Sequence, residues 1–313
     1  MKFLIIGGNG FIGSHLVDFL ISNNHKVIVY DIAQEKYRPP LKNVDYRINS
    51  INDLISLHDA MLDIDIVFHL ASSSVPGTSN LDLISDVNEN IISSLNILNT
   101  AILSKVKKII YFSSGGAIYS PSINPIKEIS AQFPISSYGI TKCAIENYFL
   151  LYSRLYNIET LIFRPSNPFG PRQMNFNQQG VISTFLKNIY LNEPITVFGD
   201  GNSIKDYIYI DDLIKMVYNI TISGFCGIFN VGSGIGTSLN DLINKIRIIT
   251  GFQPTVIYAN KKSYDVSNFI LDIEKAKGLL GNFEFSNLNY GINETWNWLK
   301  NEMINSKNLN DDH

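Results

Sequence analysis

The chain opens on a short apolar run, Lys2–Ile6, that leads directly into glycines. Beyond them Ile12, Leu16, Phe19 and Leu20 recur at helical spacing, so a helix with one buried face is predicted there. Apolar runs of strand length return at Lys26–Tyr30, Ile64–Leu70 and Lys108–Phe112. Between the last two, Ile91, Leu95, Leu98 and Ile102 predict a helix over Asn90–Leu103. A further helix is predicted over Thr141–Tyr156, where Ile145, Phe149 and Tyr152 face one side, and a strand over Thr160–Phe163. Strands alternating with helices build a parallel sheet covered on both faces. The expected class is α/β, with a doubly wound parallel sheet.

The rhythm changes after Arg164. Asn167–Gly180 is rich in Pro, Gly, Asn and Gln and predicts a long loop. Ser238 with Asp241 forms a capping pattern before Leu239, Leu242, Ile243 and Ile246, a helix expected to end near Gly251. Ile292, Thr295, Trp296 and Leu299 predict a last helix, and the polar tail Ser306–His313 is expected to fray. The change of rhythm divides the chain into a first domain over 1–165 and a smaller mixed α/β domain, mostly 166–313.

Composition narrows the setting. Of 313 residues 45% are hydrophobic and 17% charged, enough apolar material for a sizeable core. The formal net charge is -3 and there is no basic tract, so neither nucleic acid nor an anionic membrane surface is an expected partner. No apolar run approaches the roughly 18 residues needed to cross a bilayer. Residues 1–6 read as a strand and not as a signal peptide. Cys143 and Cys226 lack metal-ligand spacing, which points to no metal and to a reduced, cytoplasmic setting.

Two stretches carry chemistry. Gly7-Gly8-Asn9-Gly10-Phe11-Ile12-Gly13 sits between the first strand and the first helix. Glycines there permit a tight turn and let the backbone approach a pyrophosphate at the helix N-terminus. Asp31 closes the second strand, where an acid accepts hydrogen bonds from ribose hydroxyls and repels a 2′-phosphate. Strand, glycines, helix, strand and acid in that order point to NAD and a Rossmann-type half, although Arg38 is near in sequence. The second stretch is Tyr138-Gly139-Ile140-Thr141-Lys142. Residues four apart share a helix face. A phenol titrates near a pKa of about 10 unless a cation is close, and Lys142 supplies one. Tyr138 would then serve as general base toward a substrate hydroxyl.

These residues resemble the extended short-chain dehydrogenase/reductases, in particular the NAD-dependent nucleotide-sugar epimerase/dehydratase family, over nearly the whole chain. The resemblance rests on Gly7, Gly10 and Gly13; His69-Leu70-Ala71; Asn90 with Asn96; the segment Ser113–Tyr119; and Tyr138 with Lys142. It continues through Arg164–Pro171, Gly199-Asp200-Gly201 and Lys205–Asp212. It implies that Phe11, Ile12, Leu70, Ala71, Asn90 and Pro165 line the cofactor, with Ser50 and Ile51 near adenine. It implies that Asn167 contacts a nucleotide-sugar and that Thr196 and Phe198 face its base, usually uracil. Lys205 and Lys262 stand where the family generally has arginines on the diphosphate. Phe269 falls where related 4-epimerases gate the sugar C2 substituent, and its bulk argues for a plain hexose; the alternative is core packing. The resemblance also implies that 1–165 is the NAD-binding Rossmann domain, joined by a return strand near 228–231, that 166–313 is mostly the substrate-binding domain, and that a homodimer is built on the helices over Asn90–Leu103 and Thr141–Tyr156.

The segment Gly115-Gly116-Ala117 has no acid, which argues against dehydration. It also lacks the hydroxyl the family usually carries at Gly115. Successive strand residues point to opposite faces, so one of Ser113 and Ser114 is expected to replace it, with Ser114 preferred, or water does so. The reaction favoured is 4-epimerisation of a UDP-hexose of the glucose/galactose type, through a transient 4-keto sugar. Two alternatives stay open: an NAD(P)H-dependent reductase of nucleotide-4-keto-sugars, which Asp31 disfavours, and a catalytically inactive cofactor-binding sensor or scaffold.

Overall fold

The computed structural model describes residues 1–119, 124–173, 180–260 and 268–311, with side chains as far as 304. Seven parallel strands form the central sheet: β1 (Lys2–Ile6), β2 (Lys26–Asp31), β3 (Val44–Ile48), β4 (Ile66–His69), β5 (Lys108–Phe112), β6 (Glu159–Pro165) and, later in the chain, β10 (Gly227–Val231). Their order is β10-β6-β5-β4-β1-β2-β3. The order reverses between β1 and β4, which opens the crevice where α/β sheets bind ligands. This is the Rossmann-type doubly wound sheet expected, and the strand near 228–231 does return to it.

Helices α1 (Phe11–Ser22) and α2 (Leu54–Met61) flank the first half. The helix predicted over Asn90–Leu103 begins earlier: α3 (Leu83–Asp86) runs through a π-helical turn, Val87–Ile92, into α4 (Ser93–Leu103). The short α5 (Gly115–Ile118) precedes α6 (Ser137–Tyr156). Two apolar clusters lie on either side of the sheet. One holds Phe3, Ile5, Phe68, Ile110 and Phe112; the other holds Leu4, Ile6, Val67, Ile109 and Tyr111. The alternation follows from the two-residue period of a strand buried on both faces.

Inside the predicted 167–180 loop the structure has a strand, β7 (Asn167–Phe169), parallel to β9 (Ile204–Tyr209). β9 also pairs with β11 (Gly236–Ser238) and β13 (Asn268–Phe269). A separate two-stranded sheet joins β8 (Ile195–Phe198) to β12 (Val256–Ala259). Helices α7 (Val181–Tyr190), α8 (Ile210–Ile222), α9 (Leu239–Thr250), α10 (Glu274–Leu280) and α11 (Leu288–Asp311) complete the second layer. Ser238 caps α9 by accepting from the Asp241 amide at 3.0 Å, and Gly251 ends it at φ +75°. The expected frayed tail is instead helical backbone through Asp311.

A buried ionic pair ties α6 to the sheet. The Arg164 guanidinium donates Nε to Glu146 Oε1 at 3.0 Å and Nη2 to Oε2 at 2.6 Å. Its Nη1 donates to the Tyr119 hydroxyl and to the Glu128 carbonyl. Both charged side chains are only 2% exposed. Breaking such a pair leaves an uncompensated buried charge, at a cost of about 3–5 kcal/mol. Arg164→Met should lower the urea-unfolding free energy by about that much. Arg164→Met combined with Glu146→Leu should lose distinctly less.

Candidate active site

The crevice between β1 and β4 is shaped by backbone. Gly7 lies at φ +84°, and a β-carbon there would stand 2.7 Å from the Ala71 amide nitrogen. A β-carbon on Gly13 would collide with the Gly7 carbonyl oxygen. The loop therefore lies directly against the segment after β4, and α1 starts at its end. Gly10 caps α1 without a side-chain hydrogen bond, and its first turn has no acid. The positive helix end, with Phe11 and Ile12 leading, is thus available to an anion.

At the end of β2, Asp31 accepts from the Asn9 amide at 2.9 Å and the Ala33 amide at 3.1 Å. A carboxylate has about four lone-pair sites, so these two bonds fix Asp31 and leave capacity for ribose hydroxyls. Arg38 is held by acids: Nη1 donates to Asp18 at 2.6 Å and Nη2 lies 3.5 Å from Glu35. Ser50 follows β3 and its carbonyl accepts from the Tyr30 hydroxyl, while Ile51 packs on the apolar cluster beneath. Asn90, in the π turn, donates to Ser73 and Asp86 and accepts from the Ser73 amide. The glycine cradle, helix end and terminal acid fit the diphosphate and ribose of a dinucleotide.

Helix α6 starts at Ser136, whose hydroxyl accepts from the Gly139 amide. It carries Tyr138 and Lys142 one turn apart, both buried over the end of β5. Lys142 Nζ donates to the Phe112 carbonyl at 3.0 Å and lies over the rings of Tyr111 and Tyr138, 4.9 and 5.4 Å from their centroids. Burial pulls Lys142 down to about 8, against the charges of Glu146 and Asp86. Burial also pushes Tyr138 up to about 12, and a hydrogen bond from Ser114 offsets only part of this. In the protein alone, desolvation outweighs the expected pull of Lys142 on the phenol.

The two serines differ. Ser114, the N-cap of α5, is near enough to the Tyr138 phenol to pull its pKa down in part. Ser113 is buried, its amide donates to the Phe163 carbonyl, and its hydroxyl has no partner among the described residues. The gap at Gly115 is filled from elsewhere. A β-carbon there would lie 3.0 Å from the tip of the Phe269 ring, 3.0 Å from the Pro165 carbonyl and 3.1 Å from Leu271. Phe269 is 2% exposed and packs with Ile118, Tyr119, Ile126, Leu271 and Ile273. It is a core residue that abuts the site, as the packing alternative required, and not an open wall of it.

The substrate-side residues fall into two groups. Asn167 on β7 donates to the Asp206 carbonyl at 2.8 Å, and Lys205 on β9 pairs in register with Phe269 on β13. Thr196, exposed, and Phe198 lie on β8, in the other small sheet. Lys262 lies outside the described residues. Sequence reasoning passed over Asp86 and Glu146, which surround the pair from two sides. Their signal was spacing: Glu146 continues the Tyr138, Lys142 series by one more turn, and Asp86 precedes Asn90 by four.

Comparison with known proteins agrees with this geometry. Residues 3–232 match the model of the NAD dependent epimerase/dehydratase family. A UDP-glucose 4-epimerase from Thermotoga maritima, solved with UDP-glucose, is 35% identical with a TM-score of 0.91, over 97% of this chain and 100% of that one. A UDP-N-acetylglucosamine 4-epimerase from Methanobrevibacter ruminantium, in complex with UDP-N-acetylmuramic acid, is 28% identical with a TM-score of 0.90, over 96% and 98%. A dTDP-4-dehydro-6-deoxyglucose reductase from Escherichia coli is 30% identical over 89% of this chain and 91% of its own length. With a dinucleotide cradle, a Tyr–Lys pair at its mouth and relatives that match from end to end, the chain belongs to the NAD dependent epimerase/dehydratase family and is an NAD-dependent epimerase-type enzyme.

Proposed function

We propose that the protein is a UDP-hexose 4-epimerase of the glucose/galactose type. The observation that carries this is the setting of Tyr138: buried one turn from Lys142, whose Nζ lies 5.4 Å from its ring centroid, with Ser114 nearby and no carboxylate on Gly115-Gly116-Ala117 to run an elimination. NAD, when bound, supplies the acceptor and donor of hydride and a positive charge. Tyr138 takes the proton of the sugar C4 hydroxyl, Ser114 hydrogen-bonds that oxygen, and Lys142 holds cofactor ribose and stabilises the phenolate. The 4-keto sugar turns within the site so that the opposite face of C4 receives the hydride, and Tyr138 returns its proton to the C4 oxygen. Asn167 and Lys205 hold the nucleotide diphosphate, with Thr196 and Phe198 toward its base. The relative solved with UDP-glucose supports a plain hexose. Ketosugar reduction is the second reading, favoured by the reductase relative. Arg38, committed to Asp18 and Glu35, gives it little help in holding a 2′-phosphate.

The same reading extends to a homodimer. Helix α6 buries Tyr138, Lys142, Ile145 and Phe149 but exposes Tyr148, Leu151 and Leu155, with Leu103 exposed at the end of α4. An unpartnered apolar face of this kind suits a second copy. No helix among the described residues is long and apolar enough to cross a membrane.

Chromatography should show purified protein converting UDP-galactose to UDP-glucose without added reductant, and Tyr138→Phe should reduce this by at least about a thousandfold. No conversion of any UDP-hexose, with stoichiometric loss of NAD(P)H on a ketosugar, would select the reductase. Gly115→Ser should cost about 1–3 kcal/mol from overpacking against Phe269. Phe269→Leu in the same chain should recover part of it, a non-additivity that a double-mutant cycle measures. Light scattering should give twice the chain mass, and Leu155→Glu should shift it toward the monomer.

A further inference from the structure

Asp86 has no part in the reaction as drawn, yet it is one of the most constrained groups near it. It ends α3 and is 3% exposed. Its Oδ1 accepts from Ser74 Oγ and, at 2.9 Å, from Asn90 Nδ2. Its Oδ2 accepts from Ser137 Oγ at 2.5 Å. The Ser137 amide, in turn, donates to Asn80 Oδ1 at 2.8 Å. One carboxylate thus joins three pieces of chain: the 72–74 loop after β4, the π turn bearing Asn90, and the residue before Tyr138.

All three donors are neutral. A buried carboxylate satisfied only by neutral donors keeps its field, which acts on whatever titrates nearby. The groups around it are known on each side. From α6 come Tyr138 and Lys142, with Cys143 and Glu146 one turn further on. From β4 comes His69, buried and pulled down to about 3, with Nε2 on Ser94. From β5 comes Tyr111, whose phenol is pushed upward by burial first and by Asp86 among others. Glu89, on the next turn of its own helix, is turned to Ser85. Of these, Tyr138 and Lys142 are the pair whose protonation the proposed reaction uses, and both feel Asp86.

We propose that Asp86 is a positioning residue: it fastens the start of α6 to the cofactor-side loop, and its charge sets the pH range in which Tyr138 and Lys142 work. This rests on the proton-transfer role given to that pair above. The sign is the same for both partners. An anion favours the lysine cation and disfavours the phenolate, so it raises both transitions. Removing the charge moves the whole activity window toward acid. A clamp with no electrostatic role would lower activity without moving the window.

Asp86→Asn preserves shape. Its amide would face Ser137, whose hydroxyl can reverse and accept. Asp86→Ser removes the charge without that reversal, and Ser137→Ala removes one bond but keeps the charge. The readout is the tyrosinate absorbance of the NAD-loaded protein against pH, with Tyr138→Phe as the blank, alongside the pH profile of turnover. Both neutral variants should lower the Tyr138 transition and both limbs of the profile by about one pH unit, while Ser137→Ala leaves them in place. Unmoved transitions, an equal shift in Ser137→Ala, or failure of both neutral variants to fold with NAD would each overturn the proposal. If Tyr138→Phe keeps full turnover, the functional reading fails instead, and the absorbance titration of the loaded protein still decides for or against Asp86.

Discussion

Lys142 is a cation buried at the end of a parallel sheet, and much of the surrounding structure answers to that fact. It is 5% exposed. An isolated ammonium in such a place would give up its proton. What opposes this is layered. The Phe112 carbonyl takes one N–H, and the faces of Tyr111 and Tyr138 lie alongside. Glu146 and Asp86 supply negative charge from two directions. Each compensation then needs its own. Glu146 is buried and needs Arg164; Arg164 also bonds Tyr119, and Tyr119 donates to Asn230. Asn230 reaches the carbonyls of Ile126 and Asp272. A single charge at the site is therefore coupled, first through the field of Glu146 and from there bond by bond, to the junction of β10 with the second layer.

Space is exchanged across the fold in the same way as charge. The chain gives up a side chain at Gly115 and fills the volume with Phe269, brought in on β13 through its pairing with β9. A β-carbon at residue 115 would press on that ring at 3.0 Å, so the ring would have to give way slightly. Ser114, the N-cap of α5, is the serine that acts on the Tyr138 phenol. Two features that look like separate departures from the family pattern, an absent hydroxyl and a bulky ring, are thus one packing arrangement.

The parts legible in the sequence were those that depend on local pattern. β1, β2, β4, β5 and β6 are near-continuous apolar runs because both faces of the sheet are covered. The strand β3, Val-Asp-Tyr-Arg-Ile, was not legible. It lies at the sheet edge, where half its residues meet solvent. The π turn was hidden because an added residue per turn leaves no mark in a 3.6-residue pattern. β7 was concealed by its Pro and Asn, which read as loop, and only its distant partner β9 makes it a strand. The Tyr138–Lys142 pair was visible because one helix carries both. The contact of Gly115 with Phe269 had no local trace, since residues so far apart in the chain meet only through tertiary packing.

That division bears on specificity. Relatives of similar likeness are named for glucose, N-acetylglucosamine and ketosugar chemistry. A proton-transfer end shared among such proteins cannot by itself choose the sugar or the direction of net redox. The choice has to come from elements that meet the site from outside the nucleotide-binding half. Under the proposed function those are β7 with Asn167, β9 with Lys205, and β13 with Phe269, joined in one small sheet. Phe269 is the member of that sheet that reaches the segment beside Tyr138. A change of size there acts both on the core around Phe269 and on its packing against Gly115. Under the proposed function, Lys205 would supply charge to the diphosphate without the fixed fork of an arginine, anchoring the nucleotide by attraction more than by geometry. Under the proposed reaction that tolerance is an advantage, because the sugar has to turn over while its nucleotide stays bound.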